Sequence, residues 1–269
     1  MAQRDGASPL RIGIDLGGTK IEGVVLDAAN QVVAGPHRVA TPREDYAATI
    51  AAVRDLVRRL DGEIAGRSPT LATIGIGIPG SLVKRTGLVQ NANSVWRNGH
   101  PVEQDLAHAI GRPVRLANDA NCFAFSEAID GAAAGARSAF GVILGTGCGG
   151  GLVFEGRLLD GPNGIGGEWG HNPLPWPRGD EVPGRKCWCG RNGCMETWVA
   201  GPALEQAYVE AGGERLRASE IARRAGQADT AAQAVTAAHL DRLARGLAHV
   251  VNIFDPEVIV LGGGLSNLG

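Results

Sequence analysis

One imidazole and three thiols fall at a spacing that could close around a metal ion. His171-x15-Cys187-x-Cys189-x4-Cys194 supplies one nitrogen and three sulfur ligands, a complete set for a tetrahedral structural zinc. The Cys-x-Cys pair is tighter than the usual Cys-x2-Cys, but Gly190 and Gly193 let the chain fold back. Three of the five cysteines are bunched in "CWCGRNGC" within a chain of 269 residues, which is a poor disulfide framework and a good metal loop. The competing reading is a set of free thiols beside a core histidine. Cys122 and Cys148 have no partner at metal spacing and read as small buried residues or loop thiols.

Two short polar islands and three glycine-rich turns complete the chemically suggestive residues. "LANDAN" places Asn118 and Asp119 between a strand and a helix, where α/β proteins hold ligands, and "GGEWGH" places Glu168 three residues before His171. A lone aspartate at a helix start is ordinarily a cap; beside phosphate-binding turns it becomes a candidate general base for phosphoryl transfer. "GIDLGGTK" resembles a phosphate-binding P-loop with its last two letters exchanged, yet Ile21 to Leu26 alternate like a strand rather than a helix. It therefore reads as strand, Gly-Gly turn, strand, in which backbone N–H groups could still cradle an anion. A plain hairpin turn is the alternative. Asp15 interrupts an apolar strand just before this turn, and a buried carboxylate there would need compensation, such as magnesium carrying ATP phosphates. Lys20 is either a phosphate contact or an exposed strand residue, and Glu22 reads as part of a solvated face. Leu144 is taken as the equivalent of Asp15 in a second hairpin.

These residues require elements to position them, and the pattern supplies strands alternating with helices. Tyr46, Ile50, Val53, Val57 and Leu60 recur at helical spacing. "LATIGIGIPG" reads as a buried strand, "RPVRLAND" as another, and "DANCFAFSEAIDGAAAG" as a helix. "FGVILGTGCGGGLVFEGRLL" then repeats the opening plan of strand, glycine turn and strand. Val235, Leu243, Leu247, Val250, Val251 and Phe254 line a long helix ending at Asp255-Pro256, and "EVIVLGGGLSN" adds a strand and a third turn. Such repetition implies a duplicated α/β architecture with two domains flanking a cleft. The Gly/Pro-rich middle carrying the Trp and Cys residues is a functional loop rather than a linker. The net charge of -2 offers no basic stripe for nucleic acid, and the polar opening and lack of a long apolar run point to a soluble, cytoplasmic protein with no membrane partner. The chain stops directly after its last glycine turn, so a natural continuation at the carboxyl end is expected.

Together, "GIDLGGTKIEG", "GIGIPGS", "LANDANCFAFSEA", "GTGCGGG", "GGEWGHNPL", "CWCGRNGCMETW" and "VIVLGGG" resemble the ROK family of sugar kinases and repressors, within the ribonuclease-H-like, actin-like ATPase fold. The resemblance covers nearly the whole chain from Leu10 and implies domains over residues 1–117 and 118–269. It implies that Asp119 is the base for a sugar hydroxyl and that Asn118, Glu168, His171 and Glu196 hydrogen-bond the sugar, with His171 also on zinc. It further implies ATP-binding turns at Gly13–Lys20, including Asp15, Gly17, Gly18 and Thr19, and at Gly141–Cys148, including Gly145, Thr146 and Gly147. Gly262, Gly263 and Gly264 would lie beside the nucleotide. ATP, Mg2+ (through Asp15) and structural Zn2+ are the implied cofactors, and a homodimer the implied assembly. "GEWGHNPLPW" is most similar to fructokinases that also accept mannose, so fructose is the expected sugar, with N-acetylglucosamine or glucose as the alternative. About ten residues precede the first strand, too few for the helix-turn-helix of the repressor members, which disfavours a sugar-sensing repressor.

Overall fold

The computed structural model describes residues 10–92 and 94–268, and of Val95 the backbone alone. The polar opening read for a targeting signal therefore lies outside the described residues. The chain forms two compact units, one running through Asp119 and joined by Pro162–Gly164, the other comprising Ala120–Gly161 and the residues from Ile165 onward.

The first unit is built on β1 (Arg11–Leu16), β2 (Lys20–Leu26), β3 (Val32–Ala40), β4 (Thr73–Ile78) and β7 (Val114–Asn118), in the order β3-β2-β1-β4-β7. Strands β1 and β2 pair antiparallel, whereas β1, β4 and β7 run parallel. Ile12, Ile14 and Leu16 of β1 and Ile21 and Val25 of β2 are buried, as the two-residue alternation requires. Helix α1 (Tyr46–Glu63) starts at Asp45, whose carboxylate accepts from Ala48 N–H, and lays Val53, Leu56, Val57 and Leu60 into the same core. A short hairpin of β5 (Ser81–Leu82) and β6 (Val89–Gln90) and helix α2 (Val102–Ile110) complete the unit.

The second unit repeats the plan. Strands β8 (Ser138–Leu144), β9 (Cys148–Phe154), β10 (Arg157–Leu158) and β11 (Val258–Gly262) are ordered β10-β9-β8-β11, with β8 antiparallel to β9 and parallel to β11. Ala124 of α3 (Asp119–Ile129) shares an apolar cluster with Ala139, Val153 and Val260 of this sheet. A second cluster joins Phe140, Val142, Trp169, Met195 and Trp198 to Leu243 of α7 (Thr230–Phe254). Three short helices, α4 (Glu196–Val199), α5 (Gly201–Glu210) and α6 (Ala218–Ala225), precede α7. No described helix is long and apolar enough to cross a membrane.

Three expectations need correction. Register makes Leu144 the counterpart of Leu16, because each closes its hairpin, opposite Cys148 and Ile21 respectively; Ile143 is therefore the residue equivalent to Asp15. On α7, Val251 is exposed and the buried surface includes His239, Arg245 and Gly246. Asp15 is exposed rather than buried, because it alternates with Ile14 and Leu16 and faces away from the core.

Candidate active site

In the first unit the candidate residues collect at the carboxyl ends of adjacent parallel strands, where loops leave the sheet and ligands bind in open α/β proteins. Asp15 is in register with Gly77 of β4, and Gly77 with Ala117 of β7, one residue before Asn118. The Asn118 amide donates through Nδ2 to the Gly80 carbonyl at 2.8 Å, which fixes its orientation. Asp119 follows as the first residue of α3. Desolvation by the surrounding protein raises the Asp15 carboxyl above its ordinary value; Lys20 opposes this and Glu22 adds to it. Lys20 Nζ stands 3.4 Å from Glu22 Oε2, and Glu22 also accepts from Arg38, which lowers its carboxyl. Glu22 is thus a paired group, half-buried rather than simply solvated.

Behind the Gly17-Gly18-Thr19 turn lies a residue that the sequence does not single out. Arg97 is 1% exposed; Nη1 donates to the Leu16 carbonyl and Nη2 to the Gly17 carbonyl, each at 2.9 Å. Thr41 adds its hydroxyl to the Gly17 carbonyl at 3.0 Å and its N–H to the Thr19 carbonyl at 3.1 Å.

In the second unit, His171, Cys187, Cys189 and Cys194 bring one donor atom each within 4.8 Å of one another. His171 Nδ1 is 3.6 Å from Cys187 Sγ, and Cys189 Sγ is 3.6 Å from Cys194 Sγ. A tetrahedral zinc with the usual bond lengths places sulfurs about 3.8 Å apart and sulfur and nitrogen about 3.6 Å apart, so these donors fit that ion. Chain reversal between the ligands is carried by Cys187 N–H on the Arg191 carbonyl and Gly190 N–H on the Cys187 carbonyl, with Gly190 at φ +91°.

The same unit packs the segment carrying Glu168 and His171 against the start of β9 through Trp169 and Gly170. Trp169 donates its indole N–H to the Gly149 carbonyl at 2.9 Å. A Cβ on Gly170 would lie 1.9 Å from the Cys148 carbonyl oxygen, so only glycine lets this segment approach β9. Glu196 spans two parts of the site: Oε2 accepts from Cys148 N–H at 3.0 Å and Oε1 from the Trp188 indole at 2.6 Å. Trp188 in turn packs edge-on against His171, with ring centroids 4.9 Å apart. The turn Gly145–Gly147 is closed by Gly145 N–H on the Gly147 carbonyl, and the Gly145 carbonyl accepts from Gly201 N–H. Gly263, at φ +84°, packs on Leu144, so the Gly262–Gly264 segment adjoins that turn. Cys148 is buried on β9 and Cys122 is exposed on α3.

Paired units that each place a glycine hairpin on a mixed sheet, with ligand-type residues at the strand ends, define an actin-like ATPase fold. The model of the ROK family matches residues 11–269, and the chain belongs to that family. It is 41% identical over 259 residues to an N-acetyl-D-glucosamine kinase of Pectobacterium atrosepticum, covering 95% of this chain and 84% of that protein. Among solved structures, the ROK hexokinase of Thermus thermophilus is 36% identical with a TM-score of 0.80, covering 96% of this chain and 82% of the other. A ROK family glucokinase of Streptomyces griseus, in complex with glucose and AMPPNP, is 28% identical with a TM-score of 0.77, covering 97% and 85%.

Proposed function

We propose that this chain is an ATP-dependent sugar kinase that transfers the γ-phosphate of ATP to the 6-hydroxyl of N-acetyl-D-glucosamine. The name of the 41% identical relative supports this sugar over fructose, the sugar favoured by the "GEWGHNPLPW" resemblance. The observation that carries the reading is Glu196, whose two carboxylate oxygens tie the Cys loop, through Trp188, to the second glycine turn, through Cys148. One carboxylate has about four acceptor sites, so Glu196 can take a sugar hydroxyl while holding both partners.

Asp119 accepts the proton of the 6-hydroxyl as that oxygen attacks the γ-phosphorus and the bond to the ADP oxygen breaks. Asn118, Glu168, His171 and Glu196 hold the sugar. The turns Gly13–Lys20 and Gly145–Gly147, with Gly262–Gly264, hold the nucleotide. Asp15 would support Mg2+, and His171, Cys187, Cys189 and Cys194 would hold Zn2+; when bound, magnesium neutralises phosphate charge and zinc fixes the loop. With Nδ1 facing the Cys cluster, the His171 ring keeps Nε2 as its second polar atom for the sugar. Residues 1–117 and 118–269 are the proposed domains, and a homodimer the proposed assembly, which sedimentation would test. The functional test is kcat/KM with ATP across N-acetylglucosamine, glucose, mannose and fructose. N-acetylglucosamine is expected to lead, and turnover of none of the four would refute the proposal.

A further inference from the structure

Arg97 is a buried cation with no anion beside it among the described residues. No described carboxylate pairs with it, and its Nε has no hydrogen-bond partner among those residues. Burying an unpaired charge is costly unless something compensates, and burial lowers the affinity of this guanidinium for its proton. The partners it does have are the Trp96 ring, whose centroid lies 5.6 Å from the guanidinium carbon, and two successive carbonyls, Leu16 and Gly17, lying 81 and 80 residues earlier in the chain. In a planar trans peptide the C=O and the following N–H point in opposite directions. Drawing the Leu16 and Gly17 carbonyls toward Arg97 therefore turns the N–H groups of Gly17 and Gly18 away from it. Neither N–H takes part in a turn or loop hydrogen bond among the described residues. The hairpin thus has a carbonyl side saturated by Arg97 and Thr41 and an N–H side facing away, the polarity of a backbone anion nest.

We propose that Arg97 is a positioning residue for nucleotide phosphate: it holds the Leu16 and Gly17 carbonyls so that the Gly17 and Gly18 N–H groups meet the phosphates, whose negative charge compensates its own. This rests on the reading that the first glycine turn binds the nucleotide. Arg97 does not touch the phosphates; the peptide planes lie between. A lysine cannot reproduce the arrangement, because one ammonium replaces a planar fork that reaches both carbonyls.

The test is calorimetric binding of ADP and of adenosine to the full chain carrying Arg97→Met, Arg97→Lys or Gly18→Val, together with the KM for N-acetylglucosamine. Arg97→Met is expected to weaken ADP binding about tenfold or more, as loss of two charge-assisted hydrogen bonds implies. Adenosine affinity and sugar KM stay at wild-type values, and Arg97→Lys recovers part of the loss. A merely structural arginine would weaken ADP and adenosine alike, which overturns the proposal, as does a folded Arg97→Met variant whose ADP affinity stays within about twofold of wild type. Should Arg97→Met fail to fold by circular dichroism, Arg97→Lys decides: weaker ADP with unchanged adenosine supports the role, and unchanged ADP overturns it. At Gly18 an added Cβ would meet the buried Ser94 Oγ at 3.2 Å, close enough that Ser94 must give way, so Gly18→Val displaces the turn and with it the N–H groups proposed to meet the anion. If Gly18→Val weakens ADP and the Arg97 variants do not, Arg97 is misassigned while the turn stands. If Gly18→Val leaves ADP binding intact, the turn is not a phosphate site and both readings fall.

Discussion

Replacing Glu181 by glutamine should destabilise the second unit through the loop that carries the metal ligands. Glu181 and Arg245 are each 7% exposed. The carboxylate accepts from Arg245 Nη2 at 2.7 Å, Arg245 Nη1 at 3.0 Å, Arg242 Nε at 2.8 Å and Arg178 N–H at 2.8 Å. Arg245 also donates to the carbonyls of Pro175 and Trp176 at 2.9 Å, so this ion pair fastens the segment after His171 onto α7. Burial alone would push the Glu181 carboxyl up, but hydrogen bonds from Arg245, Arg242 and the Arg178 N–H outweigh it and bring it from 4.5 down to about 2. That difference corresponds to about 3 kcal/mol by linkage. Removing one partner of a buried pair costs about 3–5 kcal/mol, so the two routes agree. Because the folded value is the depressed one, the contribution is full above pH 4.5, shrinks as the pH falls below that, and is gone once it passes about 2. Urea unfolding of wild type and Glu181→Gln, followed by tryptophan fluorescence, should show a gap of about 3 kcal/mol at neutral pH that narrows in acid. A gap below about 1 kcal/mol at neutral pH, or one that widens in acid, would refute the reasoning.

Three further outcomes are expected. Asp119→Asn should lower kcat roughly 100-fold or more while sugar affinity holds, since it removes a proton acceptor and keeps the side chain's shape; near-native turnover would make Asp119 a helix cap. Protein purified without chelator should contain about one zinc per chain, and stripping it should weaken sugar binding through His171; metal-free protein with full sugar affinity would leave zinc no role in the site. Asp15→Ala should abolish phosphoryl transfer in the presence of Mg2+ with sugar affinity unchanged, and persistent turnover would count against a magnesium role.

The hairpins and α7 were legible because their periodicities are long and local: Ile12, Ile14 and Leu16 alternate, and α7 packs Val235, Leu243, Leu247, Val250 and Phe254 at helical spacing. The Cys cluster was legible because its ligands lie within 24 residues, spaced for a tetrahedral ion. Helices α2, α5 and α6 escaped because each has ten residues or fewer and too few turns to establish a period. Arg97 and Glu181 escaped for a different reason. The carbonyls that hold Arg97 and the arginine side chains that hold Glu181 lie 60 or more residues away, and a charged residue in a Gly- and Trp-containing loop reads as solvent-facing until the fold buries it. Asp15 was misjudged as buried because an apolar strand context says which residues alternate, not how much of the outer face the turn leaves open.

The central claim is tested most directly by incubating the chain with γ-labelled ATP, Mg2+ and N-acetylglucosamine and locating the label by product NMR and mass spectrometry. Label on the 6-oxygen of the sugar is the expected result with the wild-type chain, and almost none with Asp119→Asn. Label that stays in ATP, or appears only as inorganic phosphate, would contradict the claim.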